Sequence, residues 1–135
     1  MIKVFVHADS RYKVDTNFIR SVVLSVLEKH KVKGKVEVEV AIVGDRRMQE
    51  LNKTFRNTDE TTNVLAFPLE DVSFEPQTSH KGFVNPPDKV LRLGDVVISY
   101  PQAAESAAEH NVILEQELTG LIEHGVLHLL GIHHQ

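Results

Sequence analysis

Val36-Glu37-Val38-Glu39-Val40 alternates apolar and acidic residues without a break, and Ala41-Ile42-Val43 carries the run on. Side chains along a strand point alternately to its two faces, so the pattern predicts a strand over 36–43 with one face on a core and one wet face. Gly44-Asp45 follows at once and opens a helix with Asp45 as its N-cap. Met48, Leu51 and Phe55 lie on one side of that helix; Arg46, Gln49, Lys53 and Arg56 lie roughly opposite. Upstream, Lys33-Gly34-Lys35 is a turn. Before it, Ile19, Val22, Val23, Val26 and Leu27 form the stripe of a core-facing helix, capped by Asp15 or Thr16 and running to about Lys29. Ile2, Val4 and Val6 share a face and predict a strand over 2–7.

Downstream, Asn63-Val64-Leu65-Ala66-Phe67 is a short apolar run ended by Pro68, which predicts a buried strand. Residues 70–89 hold three prolines and a glycine and read as a long loop, a length that is usually functional or disordered. A strand follows over 91–99, with Gly94-Asp95 at its start and Pro101 just beyond its end. An alanine-rich helix over 102–110 is broken by Asn111, and a longer helix over 114–130 stops at Gly131. The order is strand, helix, strand, helix, strand, strand, helix, helix. It predicts a single α+β domain over 1–135: a mostly four-stranded mixed sheet with helices packed on it.

The chain has 135 residues, enough for one core and short for two. Its net charge of -4 argues against non-specific coating of nucleic acid, which depends on basic residues releasing counterions. A local basic patch stays compatible with that total. No apolar run reaches the ~18 residues of a membrane span, and the first residues do not form a signal peptide's apolar stretch. These features and the absence of cysteine lead to the expectation of a cytoplasmic protein with no membrane partner, and they restrict any metal to nitrogen and oxygen ligands. Eight histidines are present, four of them in the last twelve positions. That cluster is where chemistry is to be sought.

The cluster reads His124-Gly125-Val126-Leu127-His128-Leu129-Leu130-Gly131-Ile132-His133-His134. Residues four apart stack on one helix face, so His124 and His128 can reach one ion, about 2.0–2.1 Å from each ring nitrogen if it is zinc. Gly131 can end the helix in the left-handed conformation, letting the chain fold back so that His134 approaches as a third ligand. Three protein ligands leave a fourth position for water, the arrangement of catalytic zinc. The metal site is therefore expected at the end of the C-terminal helix. Two helical histidines alone serve equally well as capping or surface residues; the glycine stop and the third histidine favour the ion. The spacing matches the metzincin protease signature, but the general-base glutamate after the first histidine is replaced by Gly125, which speaks against a peptidase.

The cluster resembles the YbeY family of metal-dependent endoribonucleases, whose C-terminal signature is H-G-x-L-H-L-x-G-x-D-H. Two further blocks are similar to that family in the same order: Leu51-Asn52-Lys53-Thr54-Phe55-Arg56 with Thr62-Asn63-Val64-Leu65-Ala66-Phe67-Pro68, and Leu93-Gly94-Asp95-Val96-Val97-Ile98-Ser99. Together they cover the chain from about residue 36 to the end. His133 and Asn63 stand where the family has aspartates, and Ala66 where it has serine. The chain stops at Gln135, where related proteins continue into a further helical segment, which leads to the expectation of a last ligand beside a fraying end and a weaker hold on the ion.

The resemblance implies a zinc-dependent, single-strand-specific endoribonuclease in small-subunit rRNA maturation and ribosome quality control, with RNA and the ribosome or its proteins as partners. It makes His124, His128 and His134 the metal ligands, with His124 also part of the catalytic centre. Arg56 is the candidate for phosphate binding and transition-state stabilisation, because guanidinium grips phosphate through two hydrogen bonds; a solvated helix arginine is the other reading. Arg46 and Lys53 extend a basic strip for RNA or form an ordinary wet helix face. Asp95 holds a ligand histidine or shapes the Gly94 turn, and Glu117 and Glu123 are surface or helix-pairing residues. Two other functions stay open: a metal-dependent hydrolase of a peptide or amide, and a non-catalytic, zinc-stabilised module that binds the ribosome.

Overall fold

A computed structural model describes residues 1–56, 63–69 and 90–132, the side chains of Phe55 and Arg56 excepted. Its elements follow the predicted order: β1 (Ile2–Ala8), α1 (Thr16–Lys29), β2 (Val36–Val43), α2 (Asp45–Arg56), β3 (Val64–Pro68), β4 (Leu91–Ser99), α3 (Tyr100–His110) and α4 (Leu114–Leu129). The predicted loop over 70–89 lies outside the described residues. The strands form one mixed sheet in the order β1-β2-β4-β3. β1, β2 and β4 are parallel; β3 pairs antiparallel with β4.

The core-facing stripe of α1 is the one the sequence indicates: Ile19, Val22, Val23, Val26 and Leu27 are buried. Asp15 caps the helix, its carboxylate accepting from the Asn17 and Phe18 amides, which offsets two of the amide donors left over at a helix start. On the sheet, Val36, Val38, Val40 and Ile42 face the main core with α1 and α4. The opposite face of β2 is not fully wet. Ala41 and Val43 pack on a second, smaller cluster of Met48, Leu65 and Val97, so α2 covers that part of the sheet. Among the described residues, no helix is long and apolar enough to cross a membrane.

Three expectations are corrected. Asp45 is the first residue of α2, not its cap: the Gly44 carbonyl accepts from the Met48 amide at 3.0 Å, placing Gly44 in the capping position. The Asp45 carboxylate accepts from the Ser99 hydroxyl at 2.8 Å and the Gln102 side-chain amide at 3.4 Å, tying the start of α2 to the start of α3. β3 is an edge strand rather than a buried one; of its residues only Leu65 is buried. An apolar run records the lack of charge, not the number of neighbours. Finally, Gly94-Asp95 lies inside β4, where Gly94 adopts φ +137°. A Cβ at Gly94 would overlap the Phe67 carbonyl oxygen and stand 2.9 Å from the Pro68 Cα. Glycine there lets β3 approach.

α3 and α4 are joined by Asn111 in the left-handed conformation, φ 61°. Across their interface Glu117 accepts from the Ser106 hydroxyl at 2.5 Å and pairs with His110 Nδ1 at 3.0 Å. The Glu117 side chain is 10% exposed. It is the helix-pairing residue its position suggested. The hydrogen bond to Glu117 raises the His110 pKa above 6.5, and the bonds from His110 and Ser106 lower that of Glu117 below 4.5. His110 therefore contributes stability in full below pH 6.5 and loses it as pH rises through its raised folded value. Glu117 contributes above pH 4.5 and loses it as pH falls through its lowered one. Thermal melts should show the gap between the native chain and His110→Gln widest between those two pH values and closing as His110 deprotonates. A gap that stays constant from about pH 5 to about pH 9 would mean that charge on His110 does not hold α3 to α4.

Candidate functional site

Open sheets of parallel strands usually bind ligands beyond the strands' C-terminal ends. Here the described residues at that end bond largely to one another. After β1, Asp9 holds Arg11 through two hydrogen bonds, at 3.1 and 2.8 Å, which draw its carboxyl down to about 2. The Arg11 guanidinium lies 5.2 Å from the centre of the Tyr12 ring, and Tyr12 stacks on Tyr100 at 4.5 Å and 14°. Arg11 and Tyr12 cover Gly44, where a Cβ would meet them at 2.8 and 2.9 Å. Beside this stack, the Asp45–Ser99–Gln102 bonds join α2 and α3.

A concavity lies along α4 and β3. Val64 to Phe67 line it together with His124, Gly125 and His128, enclosing about 360 Å³. The histidines arrive there through the seating of α4. Leu118, Ile122, Gly125, Val126 and Leu129 are its buried residues, and they place the stripe containing His124 and His128 at the flank, beside β3. The two rings are 4.7 Å apart and tilted by 56°. His124 is exposed and His128 half-buried. Two nitrogens bound to one zinc at about 2.0–2.1 Å each lie within about 4 Å of one another, and rings at this separation permit that. The pair fits a metal's donor set.

Gly125 explains why a glycine follows the first histidine. A Cβ at that position would lie 2.6 Å from Val96 Cγ1 and 3.1 Å from Cγ2. Val96 is fully buried in the centre of the sheet and β-branched, so it has little room to rotate. Glycine brings α4 flat against β4, and the general-base glutamate of a metzincin peptidase has no room at this position.

Other candidates are placed differently. Asp95 neighbours Val96, whose side chain faces α4, and strand alternation turns Asp95 to the opposite face. Its neighbours there are Glu39 and His7; burial first, then the Glu39 charge, raise its pKa. It neither holds His124 nor shapes a turn. Arg46 and Lys53 are exposed on α2, and Glu123 is exposed on α4. Arg56 closes α2, its side chain outside the described residues, and His133 and His134 lie outside them as well. Among the described residues, no three His, Cys, Asp or Glu side chains converge as a metal site. Two residues quoted only as parts of the family-like blocks take definite places in the structure. Asn52, 4% exposed, is a buried polar residue on α2, and Ala66 lines the cavity by its place on an edge strand. The family-like blocks marked both positions, Ala66 as a departure from serine, without giving either a role.

Comparison with known proteins places the chain among relatives. The sequence model of one family, Endoribonuclease YbeY, matches residues 6–135, beginning well before the first motif quoted above. Endoribonuclease YbeY of Dehalococcoides mccartyi strain BAV1 is 35% identical over 133 residues, 98% of this chain and 83% of that protein. The protein of that name in Roseiflexus castenholzii is 38% identical over 122 residues, 90% of this chain and 72% of its own length. The solution structure of a Thermotoga maritima protein matches with a TM-score of 0.59 at 25% identity, over 100% of this chain and 75% of that one.

The contact at Gly125 has a measurable cost. Gly125→Ala should destabilise the fold by about 1–3 kcal/mol through overpacking, less the roughly 1 kcal/mol that alanine gains over glycine in a helix. Val96→Ala in the same chain should recover most of the loss, seen in urea unfolding as a favourable coupling between the two substitutions. Losses that simply add would show that α4 does not rest on Val96.

Proposed function

The chain belongs to the YbeY family of endoribonucleases, and from that premise we propose that it is a zinc-dependent endoribonuclease cutting single-stranded RNA in small-subunit rRNA maturation and ribosome quality control. The observation that carries the reading is the pair of imidazoles, 4.7 Å apart, opening onto a cavity beside β3. His124, His128 and His134 would hold the ion; imidazole nitrogen suits zinc, and the chain has no cysteine to compete. When bound, zinc supplies Lewis acidity, which activates water and offsets negative charge on a phosphoryl oxygen.

The chain's own residues would do the rest. The guanidinium of Arg56 would bind the scissile phosphate and stabilise the charge it gains. The cavity, about 360 Å³, has the size of a small-ligand cleft and admits an unpaired stretch of chain. The collision of any side chain at position 125 with Val96 disfavours the peptidase alternative on steric grounds. A cytoplasmic site of action and contact with the ribosome belong to the same proposal.

Purified protein is expected to carry about one zinc per chain. His128→Ala should lose it, and with it cleavage of unstructured RNA, by more than the roughly 10–100-fold that removing an outer-shell partner costs. A chelator should abolish cleavage in the native chain. Undiminished cutting by both His124→Ala and His128→Ala would end the mechanism. Zinc that raises Tm without any RNA turnover would leave only the binding module.

A further inference from the structure

The cavity touches four consecutive residues of β3, Val64 to Phe67. Consecutive strand residues point to opposite faces: Val64 and Ala66 pack toward the main core, Leu65 and Phe67 toward the smaller cluster on the other side. A concavity that meets all four lies on neither face. It runs along the strand's outer edge, and β3 is the outermost strand.

The ladder fixes which peptide groups point outward. The Ser99 amide donates to the Asn63 carbonyl at 2.9 Å, and the Leu69 amide donates to the Leu93 carbonyl at 3.1 Å. In an antiparallel strand the N–H and C=O of one residue point the same way, alternating along the chain. Residues 63, 65, 67 and 69 therefore face β4, and Val64, Ala66 and Pro68 face away. Among the described residues, nothing bonds to the outward groups of Val64 and Ala66.

We infer that this edge is a binding rail for the substrate, resting on the endoribonuclease reading. The outward N–H and C=O groups of Val64 and Ala66 hydrogen-bond the base edges of an extended RNA strand, beside His124 and His128. Each residue offers a donor next to an acceptor, the pattern carried by the pairing edges of unpaired bases. Phosphate is the poorer partner, because the carbonyls would repel it and the β3 side chains on the cavity are all apolar. In a duplex those base edges are already paired, so the rail makes single-strand selectivity a matter of hydrogen-bond supply.

Ala66→Pro removes one outward donor and leaves the ladder to β4 intact; Pro68 already occupies an equivalent outward position, where proline is tolerated. Steady-state cleavage of a short, unstructured RNA should show KM raised about 5- to 10-fold, as loss of one hydrogen bond gives, with kcat and Tm nearly unchanged. As a check that does not depend on that variant folding, abasic RNA of the same length should inhibit the native chain less strongly than an intact, uncleavable RNA. An unchanged KM in a folded Ala66→Pro protein overturns the rail and leaves the endoribonuclease reading standing, as does equal inhibition by abasic RNA. A native, zinc-loaded chain that neither binds nor cuts RNA overturns both.

Discussion

The site depends on how closely α4 can lie against the sheet. With Gly125 over Val96, the helix backbone comes down onto β4, and Leu118, Ile122, Val126 and Leu129 are buried against the strands and α1. Each large apolar side chain so buried stabilises by about 1.5–3 kcal/mol, which fixes the helix about its own axis. Once that rotation is fixed, His124 and His128 have only the flank beside β3. Gly94 makes the corresponding allowance from the sheet: it lets the Phe67–Pro68 backbone cross closely and leaves room for Leu129, 3.0 Å from where a Cβ would stand. Two missing side chains set the distance between the histidines and the edge strand.

Elements set by local periodicity were legible. The α1 stripe, the alternation in β2, the Asn111 break and the Gly131 stop at φ +79° all depend on residues within one or two turns of each other. What the sequence did not disclose was non-local. That β4 inserts between β2 and β3 is a pairing between segments far apart in the chain, and the apolar run of β3 reads the same for an edge strand as for a central one. Asp45 has the side chain of a helix cap but sits one residue inside α2, where it accepts from Ser99 and Gln102. Of the site, the spacing of His124 and His128 was enough to place both rings on one cavity. The glycine between them was visible as a motif, but its steric cause needed Val96.

One end of the sheet and one of its edges differ in character. At the C-terminal end of the parallel strands, Arg11 is held by Asp9 and stacked on Tyr12, and Asp45 is shared by Ser99 and Gln102. These contacts tie the loops at that end to one another. The antiparallel addition of β3 supplies the alternative. It extends the sheet past the parallel strands and, with α4 beside it, bounds the concavity that His124 and His128 line.

An open strand edge is also a hazard, because unpaired N–H and C=O groups template association with another chain. β3 limits this in two ways. It is five residues long, and Pro68 removes the donor from one of its three outward positions. Among the described residues, what stays open is the outward N–H and C=O of Val64 and Ala66, on the stretch that lines the cavity with His124 and His128. A strand protected at one end and open beside two imidazoles has its exposure confined to the place where a substrate would lie. The same shortness that keeps a second protein strand from adding leaves room for a ligand that needs only two residues of contact.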